Sequence, residues 1–76
     1  MVRAVVLVDT EPRRTEKIFD SIKGLKEVTA AMQVYGEYDM VFIVQSINTV
    51  GIQNFVKSLR QKHGVLRTVT LIELAV

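Results

Sequence analysis

The chain has 76 residues, 49% hydrophobic and 24% charged, with a formal charge of +2 and a sequence pI of about 9.2. That composition is globular rather than disordered, and the length allows one small domain covering residues 1–76. With no cysteine and the single histidine His63, disulfides, thiolate metal sites and a His-rich metal centre within one chain are excluded, and no cofactor is expected.

The longest strictly apolar run, Met40 to Val44, is far short of the ~18 residues that span a bilayer. The N-terminus moves straight into a strand-like run without signal-peptide architecture, so a cytoplasmic protein is expected and no membrane partner. A charge of +2 is too small to argue for nucleic acid by itself. A domain of this size buries only ~60–65% of its unfolded surface, and this chain has neither disulfide nor metal to compensate. Self-association is the remaining route.

Arg3 to Asp9 is valine-rich and closes on Asp-Thr-Glu-Pro, which predicts a first strand. Pro12 suits the first turn of a helix that presents Ile18, Phe19, Ile22 and Leu25 at spacings of three and four. Gly24 is placed to cap its C-terminus. Glu27 to Tyr35 alternates, with Val28, Ala30, Met32 and Val34 on one face, and predicts a second strand. After the turn Gly36-Glu37-Tyr38-Asp39 comes a third strand, Met40 to Ser46. Asn48 then caps a helix with the stripe Ile52, Phe55, Val56 and Leu59, running to about His63. Gly64 ends it, and Val65 to Ala75 predicts a last strand. The order β-α-β-β-α-β folds by right-handed crossovers into a ferredoxin-like α/β sandwich, with a four-stranded antiparallel sheet and both helices on one face.

Two helices cover one side of such a sheet, and the other should be polar. It is not: Val5 to Val8 and Met40 to Val44 run without a polar break, so both faces of these strands are apolar. Single surface valines are ordinary, but a patch shared by two central strands is large for a monomer. By alternation Val5, Leu7, Val41 and Ile43 face away from the helices, and they are the expected interface of a face-to-face dimer.

Gly36 to Asp39 reads in two ways. As plain structure, Gly36 supplies a positive φ and Asp39 is a soluble strand end. As a site, the turn offers N–H groups, the Tyr38 phenol and the Asp39 carboxylate, complementary to the carboxylate and ammonium of a zwitterion. Thr68 and Thr70 share one face of the last strand with Ile72. Threonine is a common strand residue, but two hydroxyls at this spacing also suit a small polar ligand at a subunit boundary. No acid lies between Met40 and Ile72, while Lys57, Arg60, Lys62 and Arg67 are basic. This is a solvated helix face or, alternatively, a patch for an acidic partner or DNA phosphates. No catalytic constellation, GxGxxG, P-loop or paired carboxylate motif is present.

The strand ending in Gly-Glu-Tyr-Asp, the apolar strand and helix after it, and Gly-Val-Leu-Arg-Thr-Val-Thr-Leu from Gly64 to Leu71 together resemble the RAM domain of the Lrp/AsnC family of transcriptional regulators. That resemblance covers nearly the whole chain. It implies a ferredoxin-like fold, dimers made by sheet-on-sheet packing into a dimeric α+β barrel, and rings of dimers, commonly octamers. It further implies a free amino-acid effector bound between dimers near the turn. Gly36, Tyr38 and Asp39 carry over as the turn part of that pocket, and Thr68 and Thr70 as the strand positions that close it. Full-length members carry a helix-turn-helix domain, whereas this sequence opens at the first strand. It therefore resembles the stand-alone form, which senses amino acids or joins full-length regulators, and direct sequence-specific DNA binding is not expected. Two other readings are a small dimeric ferredoxin-like enzyme of the monooxygenase or isomerase type, and an ACT-type regulatory domain. The apolar sheet-face residues speak against the first. Asp9-Thr10-Glu11-Pro12, standing where ACT domains place a glycine, speaks against the second.

Overall fold

The computed structural model describes residues 1–74. Its elements are β1 (Val2–Thr10), α1 (Thr15–Ile22), β2 (Val28–Gln33), β3 (Met40–Ser46), α2 (Thr49–Arg60) and β4 (Val65–Ile72). The sheet is antiparallel with strand order β2-β3-β1-β4, as the βαββαβ order predicts. The predicted Ala75 end of the last strand lies outside the described residues.

The period-2 pattern of β1 and β3 sorts their side chains cleanly. Ala4, Val6, Val8 and Thr10 alternate with Arg3, Val5, Leu7 and Asp9, and only the first set is buried. Val6 lies opposite Phe42 and Val8 opposite Met40, so the buried rows of the two central strands meet under the helices. Ile18 and Ile22 of α1 and Ile52, Phe55 and Leu59 of α2 close over them. Phe42 joins the two helices: its ring stacks on Phe19 at 5.8 Å and meets Phe55 edge-on at 6.4 Å.

Val5, Leu7, Val41 and Ile43 lie on the opposite face, half-buried, with Val5 opposite Ile43 and Leu7 opposite Val41. Val69 and Leu71 of β4 extend this apolar row beyond Leu7 and Val5.

Four local expectations need correction. α1 begins at Thr15, because Glu11 to Arg14 forms a turn in which the Arg14 N–H donates to the Glu11 carbonyl at 2.8 Å. Gly24 does not cap α1. Lys23 does, with its N–H on the Phe19 carbonyl, and Leu25 is left 41% exposed rather than in the stripe. β2 does not alternate throughout: a bulge puts Val28 opposite Val44 but Ala30 opposite Ile43, so Thr29 is the extra residue. Val28 and Ala31 consequently pack on the core, while Ala30 and Met32 join the open face. α2 ends at Arg60 with Gln61 as its cap, short of His63, although Asn48 accepts from the Gly51 N–H as predicted.

Candidate functional site

The β2–β3 connection is closed by two backbone hydrogen bonds through Asp39. The Val34 N–H donates to the Asp39 carbonyl, and the Asp39 N–H donates to the Val8 carbonyl of β1, both at 2.9 Å. Gly36 has φ 135°, with open space where a Cβ would stand, so conformation rather than crowding selects glycine there. Glu37 is exposed and Tyr38 and Asp39 half-buried. The N–H groups of Gly36, Glu37 and Tyr38 make no backbone hydrogen bond among the described residues.

The Asp39 carboxylate is anchored from below. Its Oδ2 accepts from the Thr10 N–H at 2.8 Å and lies 3.2 Å from the Thr10 hydroxyl. That hydroxyl, on a residue only 4% exposed, also meets the Thr15 hydroxyl at 2.6 Å. The Thr15 hydroxyl in turn reaches the Glu11 carbonyl at 3.3 Å. One carboxylate oxygen thus ties the start of β3 to the end of β1 and the start of α1. Oδ1 has no hydrogen-bond partner among the described residues.

Tyr38 is fixed from the other side. The Arg67 guanidinium of β4 lies 4.7 Å above its ring, and the same guanidinium reaches Asp9 Oδ2 of β1 at 3.4 Å. Thr10, Thr15 and Arg67 are therefore site residues that sequence reasoning missed. The acid-free tract signalled Arg67 as basic, but only the sheet order brings it to Tyr38.

Thr68 and Thr70 do not join this cluster. They sit opposite Val8 and Val6, on the helix side of β4, which is the sheet edge. Two strand spacings of ~4.8 Å each separate β4 from β3. Thr70 instead lines a groove of about 840 Å³ between α2 and β4, with Ile52, Val56, Lys57, Arg60 and Ile72 among its walls. Thr68 lines a smaller recess of about 380 Å³ with Arg60 and Arg67. Among the described residues no group of three His, Cys, Asp or Glu side chains is placed to hold a metal, and no helix is long and apolar enough to cross a membrane.

The model of the Lrp/AsnC ligand binding domain matches residues 3–76. The chain belongs to this family. A curated relative, the HTH-type transcriptional regulator LysM of Sulfurisphaera tokodaii, is 32% identical over 99% of this chain and 54% of its own length. The chain thus spans about half the length of that regulator. Among solved structures it resembles a Thermus thermophilus protein at 27% identity, with a TM-score of 0.93 over 100% of this chain and 96% of the other. The fold also matches the feast or famine regulatory protein of M. tuberculosis complexed with L-methionine. That match has 21% identity and a TM-score of 0.76, over 100% of this chain and 52% of the regulator. The βαββαβ sandwich described above is the architecture these Lrp/AsnC relatives share, and the chain is a regulator-type ligand-binding domain rather than a member of an enzyme family.

Proposed function

We propose that residues 1–76 form one amino-acid-binding, oligomerising module, without catalytic activity, that modulates transcription or metabolism in the cytoplasm. The observation that carries this is the Asp39 carboxylate: Oδ2 is held by Thr10, while Oδ1 stands beside a turn with unpaired N–H groups. An α-ammonium on Oδ1 and an α-carboxylate on the Gly36–Tyr38 N–H groups match the two opposite charges of a free amino acid. The L-methionine complex of the M. tuberculosis regulator supports this ligand class.

Thr68 and Thr70 lie at the far sheet edge, so a pocket using both clusters takes the turn from one subunit and the threonines from another. A ring of dimers, such as an octamer, supplies that arrangement. The dimer itself forms through the open face of Val5, Leu7, Val41 and Ile43. Co-assembly with full-length Lrp/AsnC regulators, which carry the DNA-binding domain, follows from the same interfaces.

Calorimetry on Asp39→Asn tests the reading. The amide oxygen still accepts from the Thr10 N–H, but the charge that holds an ammonium is gone. Binding of the effector should weaken by on the order of 30-fold or more, as for loss of a desolvated charge pair. Unchanged affinity would mean that the turn is only a turn.

A further inference from the structure

The wall of the groove between α2 and β4 has a chemistry that neither the core nor the turn explains. Thr49, Gln53, Lys57 and Gln61 recur at intervals of four along α2, with Arg60 beside them, so they form one stripe overhanging β4. Ile52 and Val56 lie beneath this stripe, and Ile72 and Thr70 face it from the strand. The groove is thus apolar at its floor and donor-rich at its rim, and no carboxylate lines it.

Its positive charge is uncompensated. Arg3, Lys23 and Arg67 each pair with an acid, at 3.1, 3.1 and 3.4 Å. Lys57 and Arg60 form no ion pair among the described residues, and the sequence holds no acid from Met40 to Ile72 that might reach them. Arg60 lines both the groove at Thr70 and the recess at Thr68. A concave wall of one sign concentrates ligands of the other.

We propose that this groove sets effector specificity, and that it selects an amino acid whose side chain is a short aliphatic stem ending in a carboxylate, the glutamate class. The inference rests on the proposed role of the turn, which already answers the α-ammonium and α-carboxylate. What reaches across the subunit boundary to Thr70 is then the side chain. Ile52, Val56 and Ile72 receive its methylenes, and Lys57 and Arg60 receive its end. A basic side chain meets two like charges there.

The test is calorimetric titration of the assembled protein with L-glutamate, L-methionine and L-lysine, at low and high salt. Wild type should bind glutamate about tenfold more tightly than methionine at low salt, and lysine least. In the double variant Lys57→Gln/Arg60→Gln the glutamate-to-methionine ratio should fall to within about twofold, and high salt should erode the same ratio in wild type. Wild type that binds methionine or lysine at least as well as glutamate overturns the proposal and leaves the turn's role standing. So does a double variant that keeps the tenfold ratio. Glutamate selectivity that survives while Asp39→Asn leaves affinity untouched removes the ammonium anchor but keeps the groove. Absence of binding by all three amino acids ends both.

Discussion

Asp39 accepts the Thr10 backbone N–H at 2.8 Å, across 29 residues of sequence. This bond gives one carboxylate two duties, because the oxygen that locks the turn is not the oxygen left open beside it. The two duties separate by substitution. Asp39→Ala leaves a buried N–H without its acceptor and should cost about 1–3 kcal/mol in urea unfolding. Asp39→Asn should cost clearly less, while losing effector binding just as fully. Equal stability of the two variants would show that the Thr10 bond contributes nothing.

Gly51 gives a stability change of unusual sign. It lies inside α2, where glycine-to-alanine exchange ordinarily favours the helix by up to ~1 kcal/mol. Here the added Cβ would overlap the Ser46 hydroxyl and stand 2.7 Å from the Ser46 Cβ, on the last residue of β3. Gly51→Ala should therefore destabilise by about 1–3 kcal/mol, as overpacking does. Ser46→Gly in the same chain should recover most of the loss, and a double-mutant cycle in thermal unfolding measures it.

Assembly is read by light scattering. At micromolar concentration the wild type should be a dimer or larger. Ile43→Asp places a carboxylate in the middle of the apolar open face and should shift the protein to monomer, since burying an unpaired charge is costly. A wild-type monomer that remains well folded would remove the sheet-to-sheet dimer.

Binding to duplex DNA should be weak and should fall steeply with salt, because a net charge of +2 offers few phosphate contacts. Fluorescence anisotropy on unrelated duplexes should give indistinguishable curves. Tight, salt-resistant and sequence-selective binding would assign the basic face of α2 to DNA.

The architecture was legible because hydrophobic period and turn chemistry agree over most of the chain. β3 and the Asn48 cap stand where the sequence puts them, and Gly36 has the positive φ its turn demands. β2 was misread because a bulge is an event of pairing. Nothing about Thr29 distinguishes an extra residue from an ordinary one until β3 lies alongside. The end of α1 was misread because a helix can close with its cap in the right-handed region, as Lys23 does, without the glycine that follows. At the candidate site Gly36, Tyr38 and Asp39 were legible as neighbours in a turn. Thr10 and Arg67 were not, since no local spacing rule links them to the residues they hold.

The bulge at Thr29 has a counterpart on the other border of the sheet. On β4 the ladder shifts at Leu66, where Asp9 faces Arg67 but Thr10 faces Val65, and on β2 it shifts at Thr29, each one residue after the strand begins. A molecule whose two borders were flat could add copies border to border, each new arrival leaving a fresh border exposed, and grow into a ribbon. Here each border strand carries a bulge, a device that twists an edge away from further pairing. Run-on growth is disfavoured at both borders, while two-fold contacts through the sheet face, which use neither border, are left open.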